Sequence, residues 1–141
     1  MTTHSLLFDA SSILMIVREL KGKASDKLRE ESTIPLVYYE LGNAVRRESL
    51  LLKKINQEEA KHLLNSLYAI VDQMELLSIG DEDDANPILD LAYNHSLTFY
   101  DSAYLAQASK SKKTLVTDDK KLANAAEKAK VKTLNSTTFL H

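Results

Sequence analysis

Short apolar runs alternate with helix-type patterns along almost the whole chain, and this alternation restricts the possible folds more than any other feature. The strand candidates are residues 4–8, 34–37, 76–79, 97–100, 114–117 and 131–134. The helix candidates between them are residues 12–19, 39–51, 57–75, 85–94, 101–110 and 120–130. In residues 57–75, apolar side chains recur every three or four positions, which indicates one buried helix face that packs in the core or against a partner.

Strands that alternate with helices predict right-handed crossovers and a parallel sheet covered on both faces. We therefore expect an α/β fold with a central, mainly parallel sheet of four to five strands flanked by helices. The 141 residues are enough for one domain with its own core, so residues 1–141 are interpreted as a single domain.

Composition excludes several classes of protein and site. The chain has no cysteine, which rules out disulfides, thiolate zinc sites and a cysteine nucleophile. No apolar run approaches the roughly 18 residues of a membrane span, and the N-terminus has no basic-then-apolar leader. These features predict a cytoplasmic protein without a membrane partner.

Charge is unevenly distributed, although the net charge is only -2. Residues 72–101 contain eight acidic residues and no Lys or Arg, whereas residues 110–132 contain eight Lys against three acids. Such blocks form either solvated helix faces or a contact surface for nucleic acid, and the sequence leaves both interpretations open.

Acidic residues follow the predicted strands at four strand-to-helix junctions: Asp9, Glu40, Asp101, and one of Asp118 and Asp119. Each could simply cap a helix or interact with its positive N-terminal end. Parallel strands, however, bring their carboxyl ends to one edge of the sheet, where ligands bind. Carboxylates gathered there repel one another unless cations neutralise them, and oxygen ligands favour Mg²⁺ or Mn²⁺. The scattered histidines argue against zinc.

Four segments around these acids resemble, in order, the signature segments of PIN domains, and the likeness is greatest to the VapC-type toxins of toxin-antitoxin pairs. They are FDASSIL, YYELGNAVRR, LTFYDSAYLAQASK and LVTDDKKL. The resemblance implies a three-layer domain and a ribonuclease that uses one or two Mg²⁺ or Mn²⁺ ions. It also implies products with a 5′-phosphate and a 3′-hydroxyl, a VapB-type antitoxin partner and a homodimer.

The resemblance also assigns individual positions. Asp9, Glu40 and Asp101 match the first three acids of the family, as catalytic and metal-binding residues. The fourth acid stands two residues after a threonine, which makes it Asp119 because the threonine is Thr117.

Supporting roles fall to four neighbouring positions. Ser11 and Thr117 match hydroxyl residues that can hydrogen-bond to the carboxylates, and Asn43 matches a polar position found in part of the family. Asp118 is interpreted as an acid outside the metal shell or as a helix cap.

An RNA substrate requires cationic contacts. With the four site acids set aside, 18 basic residues stand against 16 acidic ones, so a metal-loaded protein is weakly cationic. The candidates for phosphate contacts are Arg46, Arg47, Lys112, Lys113, Lys120 and Lys121. Ordinary exposed helix charge is the alternative for each of them.

Other functions remain open at this stage. A receiver-like or haloacid-dehalogenase-type phosphotransfer domain would use Asp9, although no second acid stands two residues later. A catalytically silent RNA- or protein-binding PIN module is a further alternative. The apolar side chains Ile13, Leu14, Ile16 and Val17 are expected to be exposed, available for dimerisation or antitoxin binding.

Overall fold

The computed structural model describes residues 5–141, so the first residue of the strand predicted at 4–8 lies outside the described part of the chain. Within these residues the strands are β1 (Leu6–Phe8), β2 (Ser32–Thr33), β3 (Glu75–Leu76), β4 (Thr114–Val116) and β5 (Thr133–Leu134). The α-helices are α1 (Ala10–Leu20), α2 (Ala24–Leu28), α3 (Leu36–Arg46), α4 (Gln57–Val71), α5 (Glu82–His95), α6 (Phe99–Ser111), α7 (Lys120–Lys128) and α8 (Ser136–Leu140). A 3₁₀ turn joins α1 to α2, and a π-helical turn, Arg47–Leu51, extends α3.

The sheet within residues 5–141 has five strands in the order β3-β2-β1-β4-β5, and every neighbouring pair is parallel. This arrangement confirms the predicted α/β class. The chain moves from β1 to β2 and β3 on one side, and β4 and β5 continue on the other side. The strand order therefore reverses between β1 and β4, and ligands bind at the carboxyl ends of strands beside such a reversal.

Two apolar clusters cover the two faces of the sheet, because successive side chains of a strand point in opposite directions. In β1, Leu7 packs against the cluster of α5, α6 and α7, while Phe8 packs against that of α1, α3 and α4. Leu115 and Val116 of β4 divide in the same way. All four side chains are fully buried, which explains why these strands read as continuous apolar runs.

The prediction of a strand at residues 34–37 is wrong. The strand is Ser32–Thr33, and α3 begins at Leu36 with Pro35 as its N-cap. Proline fixes a backbone angle suited to the start of a helix and donates no hydrogen bond, so it favours a helix start here. Thr33 remains in the sheet, and its hydroxyl donates to the Phe8 carbonyl at 2.7 Å.

The extended piece predicted at residues 97–100 is also wrong, because α5 leads directly into α6. Ser96 takes a left-handed conformation (φ 54°) at the end of α5, and Thr98 caps α6. The Thr98 hydroxyl accepts a hydrogen bond from the Asp101 amide at 3.0 Å. The apolar residues Leu97 and Phe99 therefore flank a helix cap rather than form a strand.

The early apolar residues face the core, against the expectation that they are exposed. Ile13, Ile16 and Val17 are buried in the cluster between α1, α3 and α4, and Leu14 is partly buried against it. Burial of apolar area stabilises the fold, so these residues serve the core rather than a free docking face. Met15 is the large apolar residue of α1 that stays exposed.

The stripe predicted within residues 57–75 belongs to the core rather than to a partner interface, since Leu67, Val71 and Met74 are buried. The helix ends at Val71 and β3 follows at Glu75. Pro87 lies inside α5, which begins five residues earlier, at Glu82. Among residues 5–141, no helix has both the length and the apolar character that a bilayer crossing requires.

Candidate active site

Asp9 is the first residue after β1, and its carboxylate is held on both oxygens. Oδ1 accepts hydrogen bonds from the Ser12 amide and the Ser11 hydroxyl, each at 2.9 Å, and Oδ2 accepts one from the Thr117 hydroxyl. The side chain caps α1 and is only 4% exposed. Burial raises the pKa of Asp9 above its usual value, although the three donors act in the opposite direction.

Glu40 lies in the second turn of α3 rather than at the helix start, because the helix begins four residues earlier, at Leu36. Its Oε1 accepts a hydrogen bond from the Tyr104 hydroxyl at 2.6 Å. Burial raises the pKa of Glu40, and the charges of Asp101 and Asp9 raise it further, while the hydrogen bond from Tyr104 lowers it.

Asp101 lies in the first turn of α6 and follows a helix cap rather than a strand. Burial is the main cause that raises the pKa of Asp101, and the charges of Asp119 and Asp9 add to it. Lys121 acts in the opposite direction. Two of the four acids, Asp9 and Asp119, therefore lie at a strand-to-helix junction, whereas Glu40 lies beyond the junction of β2 and α3.

The adjacent residues Asp118 and Asp119 accept hydrogen bonds from the starts of two different helices. Asp119 caps α7, with Oδ1 accepting from the Leu122 amide at 2.9 Å. Asp118 Oδ1 instead accepts from the Ser136 amide at 2.8 Å, at the first residue of α8. The Thr117 hydroxyl accepts from the Asp119 amide at 3.0 Å and donates to Asp9, so one threonine links the two strand ends.

These segments converge on one cavity of about 560 Å³ at the carboxyl end of the sheet. Its lining includes the predicted acids and their neighbours: Asp9, Ser11, Glu40, Asn43, Asp101, Asp118 and Asp119. The acids come from four separate parts of the chain. Because the carboxylates are close enough to raise one another's pKa, the cavity disfavours further negative charge and favours a cation.

The donor set suits a hard divalent ion. The cavity lining described within residues 5–141 has carboxylate, hydroxyl and amide oxygens and no histidine, and oxygen ligands are those that Mg²⁺ and Mn²⁺ prefer. Across the same residues, no three acidic or histidine side chains stand ready-made at ligand distances. The residues thus fit such an ion in chemistry and location, with side-chain adjustment still required.

The basic candidates are spread over two edges of the sheet. Arg47 lines the acidic cavity, Lys121 lies close enough to Asp101 to influence its pKa, and Lys120 shares the first turn of α7. Arg46 is exposed at the end of α3. Lys112 and Lys113 precede β4 and therefore lie at the amino edge of the sheet, away from the acids.

Sequence reasoning missed two polar residues of the site, Tyr104 and Arg18, and Arg18 pairs with Glu48. Tyr104 is 1% exposed and connects α6 to Glu40, 64 positions away in the chain. Burial and the Glu40 carboxylate raise the pKa of Tyr104 well above its usual range, so its hydroxyl remains a donor. The available signal was its position three residues after Asp101, on the same helix face.

Comparison with known proteins agrees with this architecture. The sequence profile of the PIN domain matches residues 6–128. Ribonuclease VapC3 of Pyrobaculum aerophilum is 29% identical over 126 residues, covering 84% of this chain and 92% of that protein.

Solved structures show the same fold. The crystal structure of PAE2754 from Pyrobaculum aerophilum matches with a TM-score of 0.78 and 25% identity, covering 96% of this chain and 86% of that one. FitAcB from Neisseria gonorrhoeae has a TM-score of 0.62 at 20% identity, covering 94% and 98% of the two chains. A toxin-antitoxin complex from Klebsiella pneumoniae has a TM-score of 0.59 at 18% identity, covering 84% and 90%. Because the PIN domain profile covers residues 6–128, most of its length, the chain belongs to the PIN domain family.

Proposed function

We propose that this chain is a metal-dependent ribonuclease that hydrolyses RNA phosphodiester bonds, acting as the toxin of a VapBC-type pair. The similarity to Ribonuclease VapC3 supports the reaction class. The observation that carries the proposal is the convergence of Asp9, Glu40, Asp101 and Asp119 on one cavity, with three pKa values raised.

The four acids would hold one or two Mg²⁺ or Mn²⁺ ions. The chemistry supplied by such an ion is Lewis acidity, which makes water a better nucleophile near neutral pH and offsets charge on a phosphate. Asp119 uses Oδ1 in its helix cap, so Oδ2 is the oxygen we assign to a ligand role. By family resemblance, the products carry a 5′-phosphate and a 3′-hydroxyl.

The protein's own side chains position this acidic group. Thr117, Ser11 and the Ser12 amide fix the orientation of Asp9, and Tyr104 fixes that of Glu40. Hydrogen bonds of this kind hold ligands in place and keep carboxylates ready to accept a proton from an attacking water.

We assign phosphate contacts near the scissile bond to Arg47 and Lys121. Arg47 lines the cavity, and Lys121 influences the pKa of Asp101 from the first turn of α7. Arg46, Lys120 and Asn43 lie on the same two helices and are secondary candidates.

We further propose a VapB-type antitoxin, a homodimer and a single domain over residues 1–141. One structural neighbour, from Klebsiella pneumoniae, is a toxin-antitoxin complex, and both core clusters of this chain share one sheet. Exposed side chains such as Tyr39, Leu50 and Tyr93 offer apolar contact area. Co-purification with the product of an adjacent gene and light scattering test these assignments.

Cleavage of single-stranded RNA by wild type and Asp101→Asn tests the function. We expect the variant to lose activity by about 100-fold or more, since it removes a carboxylate from the cavity while keeping the side-chain volume. Asp90→Asn, an exposed position on α5, is the matched control and should cleave like wild type.

If Asp101→Asn cleaves RNA at the wild-type rate, in preparations free of trace nuclease, the assignment is contradicted. RNA binding without cleavage by the wild type, at any Mg²⁺ or Mn²⁺ concentration, would favour the catalytically silent module instead. Membership of the PIN family sets aside the phosphotransfer alternative at Asp9.

A further inference from the structure

A second cavity, of about 340 Å³, lies at the amino edge of the sheet and is surrounded by lysines. Lys112, Lys113, Lys130 and Lys132 line it, with Ser5, Thr114 and the end of α6. The lining described within residues 5–141 includes no acidic side chain. We call these four lysines the lysine pocket.

Helix ends explain part of this arrangement. Lys112 follows α6 and Lys130 follows α7, and cations stabilise the C-terminal end of a helix by about 0.3–1 kcal/mol. That effect needs one cation at each helix end, whereas four converge on a single cavity. In the part of the chain that the structure describes, Lys112, Lys130 and Lys132 have no carboxylate within 4.0 Å, whereas Lys113 pairs with Glu75 at 3.8 Å. Lys110, by contrast, pairs with Asp84.

The exposed face of α7 connects the lysine pocket to the acidic cavity. Asp119 and Lys120 stand at the start of this helix and Lys128 at its end, while Leu122 and Ala126 face the core. Lys120, Asn124 and Lys128 recur every four residues on the exposed side, so they share one face, which also carries the acidic residue Glu127. The nine residues of α7 span about 13 Å.

We propose that an RNA strand held in the acidic cavity continues along this face of α7 and places its backbone phosphates in the lysine pocket. A stacked strand advances about 3.4 Å per nucleotide, so α7 corresponds to about four nucleotides. The pocket is thus a secondary binding site that favours longer RNA substrates. This inference rests on the proposed ribonuclease function.

The test measures binding in Ca²⁺, a divalent ion that neutralises the acids of the cavity, and the RNA is checked for cleavage after each titration. Affinities for single-stranded RNA of about 12 and about four nucleotides are compared between wild type and the double variant Lys130→Gln/Lys132→Gln. The matched control is Lys23→Gln/Lys27→Gln, which removes the same charge at α2, on the other face of the sheet.

We expect the pocket variant to bind the long RNA about tenfold more weakly, and to lower the slope of log affinity against log salt by about one to two. The pocket variant and the control variant should bind the short RNA with equal affinity. Equal affinities of pocket and control variants for the long RNA would overturn the inference, as would equal losses for both lengths.

Two further outcomes separate this inference from the proposed function. If Asp101→Asn cleaves like wild type but the pocket variant loses long RNA, the catalytic assignment fails and the secondary site stands. If wild type does not bind RNA, or if the variant loses only binding to anionic lipid vesicles, the RNA path is contradicted.

Discussion

At the scale of single residues, the candidate site depends on side chains that orient the acids. The Thr117 hydroxyl donates to Asp9 and accepts from the Asp119 amide, so it connects the ends of β1 and β4. Tyr104, on α6, donates a hydrogen bond to Glu40 and orients its carboxylate. The hydrogen bond from Thr117 to Asp9 is buried and that from Tyr104 to Glu40 is partly buried, and a buried polar group that loses its partner is costly.

Replacement of Thr117 by Val keeps the shape of the side chain but leaves Asp9 Oδ2 without its donor. We expect Thr117→Val to lower the free energy of unfolding by about 1–3 kcal/mol, measured by urea denaturation. Thr137→Val, on the exposed side of α8, should change it by less than about 0.5 kcal/mol. An effect of Thr117→Val no larger than this control would show that the hydrogen bond to Asp9 is unimportant.

Tyr104→Phe removes the donor to Glu40, whose pKa the hydrogen bond lowers. The pKa of Glu40 should therefore rise further in the variant. We expect the acid limb of the pH–rate profile for RNA cleavage to shift to higher pH, with activity recovered as pH increases. Tyr93→Phe, at an exposed tyrosine, should leave the profile unchanged. A uniform loss at every pH would indicate a purely structural role for Tyr104.

At the scale of elements, the sequence predicted that the four acids would lie together, as they do around one cavity, but it misplaced several element boundaries. The strands at Leu6–Phe8 and Thr114–Val116 were predictable because both are continuous apolar runs. Residues 34–37 and 97–100 were misassigned because Pro35 and Thr98 start helices there. The spacing from Thr98 to Asp101 resembles a helix-capping pattern, and greater weight on it would have corrected the second error.

The β4–α7 junction allows the two adjacent acids to be separated by experiment. Asn caps helices about as well as Asp, so the Asp119→Asn variant should be as stable as the wild-type protein. We expect this variant to lose Mn²⁺ binding by calorimetry and RNA cleavage, whereas Asp118→Asn retains both. The reverse result would show that the metal ligand is Asp118 rather than Asp119.

At the scale of the whole molecule, the parallel sheet brings together acids that are distant in the sequence. Asp9 and Asp119 meet because β1 and β4 are neighbours at the reversal of strand order. The repeating pattern of strands and helices predicted the common edge. The Tyr104–Glu40 contact depends on how the helices pack, and no local pattern encodes that packing. The separation of Lys112 and Lys113 from the acids follows from their position just before β4 and could have been predicted from the strand pattern.

The raised pKa values of Asp9, Glu40 and Asp101 make stability dependent on pH. A carboxyl with a higher pKa in the folded state favours folding below its unfolded value near 4, and this contribution disappears as pH rises through the folded pKa. In chelator, Asp101→Asn should therefore gain stability relative to wild type as pH increases above 4, measured by thermal denaturation. Asp90→Asn, at an exposed position outside the cavity, is the control, and a pH-dependent gain for Asp101→Asn no larger than that of the control would contradict the clustered charges.

The central claim is that these acids hold a divalent ion that supports RNA hydrolysis. Its most direct test is the rate of RNA cleavage during a Mn²⁺ titration of chelator-treated wild type and Asp101→Asn. The account predicts no cleavage in chelator, a saturable return of wild-type activity with Mn²⁺, and no return in the variant. Cleavage that persists in chelator, or that Mn²⁺ restores equally in both proteins, would contradict it.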